Sequence, residues 1–419
     1  FFHLKFNAIF TAMNLSIRCL FILAIFKLAF TTTGLSQTPY GDTSLTLDIQ
    51  LRVRSEWREG YKVATDTETL GDLLTVQRSR IGLTGKWKSF DYKLGAQDVR
   101  TFGNPSGTTQ GTVGVSEAWW AGNLTSGMRL KVGRQEIKFD NERIVGAVNW
   151  SNPGRFLDGI RWDRQAEDPK KGNSTVAVTW DELNETRRYM VYHRAMVGEN
   201  NKLTFLYFDQ FSETERSAIT TGFTTRFRLG EKTWIATEAY VQSASDPTAT
   251  PLDFRSYSED MLIADIGLNG TGAHRWQAGL DLLSENFSPF LGTNHRHYGW
   301  MDQFYVGTPQ TDGLTDIRLR HIGPLNFSPL GKDVSWGATV HHFRAKAMGD
   351  LLGNELDLWI TGKKDGALTW HVGFSVLDAT EKHIERQGDV PASQWSDAAG
   401  RIHHWGWVSL NFTPTFNLK

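Results

Sequence analysis

Four Arg-x-Arg pairs recur along the chain: Arg52/Arg54, Arg78/Arg80, Arg226/Arg228 and Arg318/Arg320. On an extended strand, residues two apart share a face. The flanking Leu51/Val53, Ile81/Leu83, Phe227/Leu229 and Ile317/Leu319 claim the opposite face of each pair. The same parity turns Asp48, Glu56, Glu117, Glu238, Asp265, Asp281, Glu355 and Asp357 to the arginine side. A guanidinium is a planar, permanently charged fork that matches a carboxylate. A surface of this kind could pass the carboxylates of an acidic solute from one arginine to the next. Equally, the acids are numerous enough to pair with most of the arginines and simply keep a wet interior neutral.

Other chemistry is poorly supported. A Gly-x-Ser-x-Gly nucleophile motif is absent, and no Ser/His or Asp/His constellation is distinguishable at a strand end. His341-His342 and His403-His404 are adjacent pairs, and neighbours on a strand face opposite ways. His295 and His297 could share a face but fall in an expected loop with no flanking acid ligand. No metal, no cofactor and no catalytic group is expected.

The elements that carry the arginines are strands with one apolar and one polar face. Leu45, Leu47, Ile49, Leu51 and Val53 alternate with Thr46, Asp48, Gln50, Arg52 and Arg54. The alternation returns in Leu262, Ala264, Ile266, Leu268; in Trp276, Ala278, Leu280, Leu282; in Leu356, Leu358, Ile360; and in Leu368, Trp370, Val372, Phe374, Val376. Short hairpin signals stand at 88–91, 229–232, 269–272 and 363–366, and longer polar insertions at 102–114, 243–259, 285–312 and 379–401. Helices of any length are not apparent. Alternating short and long connections are the asymmetry of an outer-membrane barrel, with tight periplasmic turns and larger external loops.

Composition agrees with that class. The chain carries 16 Trp, 25 Phe and 40 Gly, yet only 40% of its 419 residues are hydrophobic. Beyond residue 36 there is no apolar run of the roughly 20 residues a membrane helix needs. The one strongly apolar stretch, Cys19 to Phe30, follows Met13 and Arg18 and precedes Gly34-Leu35-Ser36, which reads as a secretory leader cleaved before Gln37. Residues 1–36 are thus expected to be upstream sequence and leader, and 37–419 a single transmembrane barrel. The leader holds the only cysteine, Cys19, which removes any disulfide or Cys-type metal site from the exported part. It also holds Lys5, Arg18 and Lys27, so 45 basic against 46 acidic residues becomes 42 against 46. That balance does not suggest nucleic acid.

A soluble β-sandwich has the same period, and the last strand separates the two. Val408, Leu410, Phe412, Phe416 and Leu418 share one face up to the chain end, broken by Pro414. Such a strand resembles the signal read by the barrel-assembly machinery, although it closes on Leu418-Lys419 rather than on an aromatic residue. At about 21 residues per strand and connection, the chain affords on the order of 18 strands, give or take two. Trp87, Trp119, Trp120, Trp150, Trp162, Trp180, Trp234, Trp276 and Trp407 are expected in aromatic girdles at the lipid headgroups.

The run Lys131-Val132-Gly133-Arg134-Gln135-Glu136, followed by Arg143, Trp150-Ser151-Asn152, Arg155, Asp158 and Arg161, resembles the alginate-export family of outer-membrane porins. Leu352-Gly353-Asn354-Glu355-Leu356-Asp357-Leu358 resembles a second motif of that family. The resemblance implies a monomeric barrel of about 18 strands whose arginine-rich lumen passes an anionic uronate polymer by diffusion. It carries Arg134, Glu136, Arg143, Arg155, Asp158 and Arg161 into the lumen. For Arg134 this requires Gly133 to end or bulge the strand, because Met128, Leu130 and Val132 otherwise set a lipid-facing parity that includes Arg134.

The sequence therefore points to a porin in outer-membrane lipid that conducts an anionic sugar polymer or oligomer. The alternative is a general porin for small hydrophilic solutes; a barrel enzyme or an adhesin fits less well. Intact mass spectrometry of the protein from isolated outer membranes should give a chain beginning near Gln37. A mass that retains Met13 to Ser36 would overturn the leader assignment.

Overall fold

A computed structural model describes residues 43–418 apart from 63–71, 88, 103–111, 167, 199, 213–216, 246–256, 305–312, 326–331 and 389–391. The expected leader and Cys19 lie outside the described residues.

Eighteen antiparallel strands close into one ring. They are β1 (Ser44–Glu59), β2 (Asp72–Trp87), β3 (Phe90–Thr101), β4 (Thr112–Thr125), β5 (Met128–Gln135), β6 (Leu157–Arg164), β7 (Asn173–Asp181), β8 (Thr186–Val197) and β9 (Asn201–Ser212). The second half comprises β10 (Ser217–Arg228), β11 (Thr233–Ser245), β12 (Tyr257–Asn269), β13 (Arg275–Leu283), β14 (Leu314–Pro324), β15 (Lys332–Arg344), β16 (Leu351–Lys364), β17 (Leu368–Ala379) and β18 (Ile402–Phe412). Each strand pairs with its sequence neighbours. The ring closes where β18 meets β1, with Leu51 opposite Phe412 and Glu59 opposite His404. After Thr413-Pro414, a short β19 (Thr415–Asn417) continues along β1 alone. Proline, which has no N–H to give, thus sits where the ladder to β17 has already ended at Leu368–Phe412.

Period two does the sorting. Leu51, Ile81, Leu94, Leu262, Ile266, Leu319, Leu358, Val408 and Leu410 are exposed on the outside, while Arg52, Arg54, Glu56, Arg78, Asp265, Asp281, Arg318, Glu355 and Asp357 are buried inside. A sandwich would bury the apolar face against a second sheet; here the polar face is enclosed and the apolar one exposed, as lipid immersion demands. Connections at one end of the ring are no longer than 165–172, whereas those at the other include 136–156, 284–313 and 380–401. The long end is the external one, and both ends of the described chain lie at the short end.

Two sequence expectations need correction. Short helices do occur: α1 (Glu381–Gln387) is capped by the Thr380 side chain and ends at the left-handed Gly388, and α2 (Trp395–Ala399) follows in the same connection. These local signals produce helices of no more than about two turns, too short for hydrophobic periodicity to register. The tryptophans are also divided. Trp87, Trp120, Trp180 and Trp276 are exposed on the outer face near strand ends, and Trp162 shares the outward parity of Ile160. Trp119, Trp234 and Trp407 point inward and Trp150 lies on an inward loop. Trp407 fits because Gly373 beneath it has no Cβ; any side chain there would collide with the indole.

Deleting Val408 to Lys419 removes the second half of β18 and all of β19 and opens the ring there to lipid, where unpaired backbone groups cost several kcal/mol each. The truncated chain should lose its heat-modifiable band in cold gel electrophoresis. Normal insertion without that segment would mean that ring closure is not what holds the fold.

Candidate lumen site

The 136–156 connection does not stand outside the barrel; it is strung across the lumen between two walls. On the β1–β2 wall, Arg52 donates to Asn149 O (2.8 Å), Ser151 O (3.0 Å) and Asn152 Oδ1 (2.9 Å). Arg54 donates to Trp150 O (2.6 Å), Arg78 to the carbonyls of Asn149, Ser151 and Asn152 (3.2–3.3 Å), and Arg80 to Pro153 O (2.9 Å). On the opposite wall, Arg143 pairs with Asp281 of β13 (2.6 Å) and Glu238 of β11 (3.4 Å). Asp140, near the loop's start, accepts from Tyr192 (3.0 Å) and Arg194 (2.6 Å) of β8. Burial opposes the charge on Arg143, but Asp281, Tyr298 and Glu238 outweigh it and hold the guanidinium more firmly protonated than a free arginine.

A second loop, 284–304 of the β13–β14 connection, folds against the first. Val145 and Leu291 form a parallel bridge, and Arg155 donates to Gly146 O (3.2 Å) and to Leu291 O. Glu355 of β16 accepts the Met301 N–H (2.8 Å), and Asp302 accepts from Tyr61 (2.6 Å) and lies 2.9 Å from His295 Nδ1. Burial, followed by Arg143 and Arg296, keeps His297 well below the usual imidazole range, so it is a neutral partner to Asn141 O at 3.0 Å. The two loops and the wall meet in an aromatic cluster. Trp150 stacks on His295 (4.7 Å) and meets Trp405 and Trp407 edge-on (5.7 and 5.6 Å), while Trp300 lies 4.9 Å from both Trp359 and Trp407.

Below the loops a cavity of about 490 Å³ follows the β10–β15 wall, lined among others by Arg226, Trp234, Arg275, Trp300 and Arg320. Its buried floor is an ion network: Arg318 reaches Asp281 (2.5 Å), Asp316 (3.6 Å) and Asp265, and His341 lies 2.9 Å from Asp316 and 3.7 Å from Asp357. The carboxylates are thus spent on arginine, histidine and backbone partners and are almost entirely shielded. Arg226, Arg275 and Arg320 make no ion pair among the described residues. Arg226 lies 4.1 Å over the Trp234 ring and Arg320 4.9 Å over that of Trp359.

The arginines singled out in the sequence therefore separate by role. Arg52, Arg54, Arg78 and Arg80 grip loop carbonyls, Arg318 anchors the ion network, and Arg226 and Arg320 face the cavity; Arg228 shares Arg226's parity near the short end. Glu117 is spent on Lys93 and on Trp119 Nε1 (3.0 Å). Glu136 pairs with Lys138 (2.8 Å), and Arg161 with Asp163 (2.9 Å). Arg143 and Arg155 lie in the lumen on the crossing loop rather than on a strand. Arg134 and Asp158 are not lumen residues. The β4–β5 register runs unbroken through Trp119–Gly133 and Ala118–Arg134, so the positive φ of Gly133 does not flip the face. Arg134 pairs with Asp158 at 2.9 Å on the outside, both about half exposed. His295 does have an acid neighbour, Asp302, but no group of three potential metal ligands occurs among the described residues.

No protein-family model matches the chain, and no curated protein does. Solved structures do match over nearly their whole length. Acinetobacter baumannii OccAB2 superposes with a TM-score of 0.60 at 11% identity, covering 92% of this chain and 100% of that one. Pseudomonas aeruginosa OprD gives 0.59 at 10% identity over 93% and 99%, and P. aeruginosa OccK8 (OprE) 0.60 at 10% over 91% and 100%. The fold is that of an outer-membrane channel. With its apolar exterior and closed ring, the chain is built as an integral outer-membrane barrel.

Replacing Arg143 with Ala takes one of two guanidinium partners from the fully buried Asp281, removes the ion pair to the buried Glu238 and weakens one anchor of the crossing loop. The variant should lose about 3–5 kcal/mol of stability to urea in detergent, as broken buried ion pairs do. A loss below about 1 kcal/mol would show that Arg143 is not a main anchor and that the loop is held by its other contacts.

Proposed function

We propose that this channel conducts small organic anions, acidic sugars and short uronate oligomers in particular. The observation that carries the reading is the accessible charge of the lumen cavity: Arg226, Arg275 and Arg320 without ion-pair partners, beside carboxylates already shielded and engaged. A permeating ion responds to the fixed charges it can approach, not to the sum over the protein. Indole faces beside guanidinium groups, at Arg226 with Trp234 and Arg320 with Trp359, offer an apolar platform next to a carboxylate fork, which suits a sugar acid. Two loops crossing the lumen favour single acidic sugars and slender oligomers over a bulky polymer. The general-porin alternative is favoured by the acids of the ion network, which outnumber Arg143 and Arg318 and would offset the exposed arginines if they were felt at the pore axis.

Reversal potentials in planar bilayers under a salt gradient discriminate the two. At about 0.1 M salt the screening length is roughly 10 Å, short enough that only nearby wall charges bias the current. The native channel should prefer anions, and changing Arg226 and Arg320 together to Gln should reduce the anion-to-cation permeability ratio by roughly twofold or more. A cation-selective native channel, or an unchanged ratio in the double variant, would favour the general porin.

A further inference from the structure

Arg52 and Arg78 stand directly opposite each other on β1 and β2, both turned inward, with Arg80 one inward position along β2. Arg52 and Arg78 are 7% and 3% exposed. Like charges facing each other across a ladder repel, and burial sharpens the repulsion because water no longer screens it. The acids around them have other partners: Glu56 is taken by Arg54 (2.7 Å) and Arg58 (2.8 Å), Glu136 by Lys138 (2.8 Å) and Glu117 by Lys93. No carboxylate lies within ion-pair distance of Arg52, Arg78 or Arg80 among the described residues. Their partners are backbone carbonyls, the Asn152 amide oxygen and the Gln97 amide oxygen, all neutral. The three bonds of Arg78 are long at 3.2–3.3 Å, against about 2.8 Å for a charge-assisted bond to an anion. Its Nε is buried with no partner at all. Three guanidinium groups with no carboxylate in direct contact make a built anion site whose places are held by neutral substitutes.

We propose that Arg52, Arg78 and Arg80 form a second anion site, capped by the carbonyls of residues 149–153, which a dicarboxylate takes by displacing that segment. One carboxylate brings one charge and two oxygens to a place where Arg52 and Arg78 now use four loop oxygens, two of them shared; two linked carboxylates can bridge Arg52 and Arg78 and reach the empty Nε. The displaced segment carries Trp150, whose ring is stacked on His295, edge-on to Trp405 and Trp407, and covered by Arg54 at 4.2 Å. Exchange of carbonyl for carboxylate therefore draws an aromatic stopper out of the lumen. Arrival of the solute loosens the loop that obstructs it, because solute and loop compete for the same donors. The significance of this device rests on the channel reading, but the site itself can be tested without any current.

The test places a single reporter thiol in the capped segment, Ser151→Cys, on a Cys19→Ser background, and follows its labelling by a water-soluble maleimide in detergent. Succinate should accelerate labelling saturably by about fivefold or more, and acetate at matched ionic strength should not. In the Arg78→Gln, Arg80→Gln variant the succinate dependence should vanish while basal labelling rises. Labelling indifferent to succinate, or quickened equally by acetate, overturns the proposal. Should the double variant lack its heat-modifiable band, Arg80→Gln alone must raise the succinate concentration for half-effect, and an unchanged value also overturns it. A chain that responds to succinate but passes no current in bilayers would refute the channel reading and leave the anion site standing.

Discussion

In hydrocarbon no water is available to satisfy a backbone N–H or C=O, so a sheet that spans a membrane must have no edge. Nearly everything else in this molecule follows from that requirement. Closure onto β1 fixes the register of β18, and register fixes which residues face lipid. It also forces a consequence on the interior. An 18-strand ring is too wide for its own side chains to fill, so the space within must be wet, plugged or both. Here two connections from the external end turn inward and take up part of it.

Those loops bring peptide groups into a confined space, and the wall must satisfy them. The wall does so asymmetrically. On the β1–β2 side guanidinium groups meet carbonyl oxygens, a charge-to-dipole contact that leaves positive charge unneutralised. On the β11–β14 side two guanidinium groups meet a larger number of carboxylates in a buried network. The crossing loop is thus stretched between a wall that holds it by backbone oxygens and a wall that holds it by carboxylates.

Much of the fold was legible because a membrane barrel writes its two environments into alternate residues. Leu262 to Leu268 and Leu356 to Ile360 point outward as their period requires, and the hairpin signals near 88, 230, 270 and 365 fall at the short end of the ring. The same logic explains the failures. Parity assigns a face but says nothing of partners, so Arg78 on a carbonyl and Arg320 over an indole look alike in sequence. Loop 136–156 has no period to read. Its Arg143 and Arg155 belong to a family-like motif, which marks them as interior without revealing that the backbone itself crosses the lumen. Arg134 shows the opposite risk: a motif placed it inside, and the plain alternation of Met128, Leu130 and Val132 was the better guide.

The clamp on residues 149–153 is made almost wholly through main-chain oxygens, and Asn152 is the one side chain among the acceptors. Anchorage and side-chain identity are therefore uncoupled over most of the segment. Substitutions at 149, 150, 151 and 153 alter what the lumen presents to a solute while the oxygens that tether the loop stay where they are. A channel built this way can drift toward new cargo by point mutation without first having to re-evolve its constriction, and the arginines of β1 and β2 become the fixed frame around which that drift occurs.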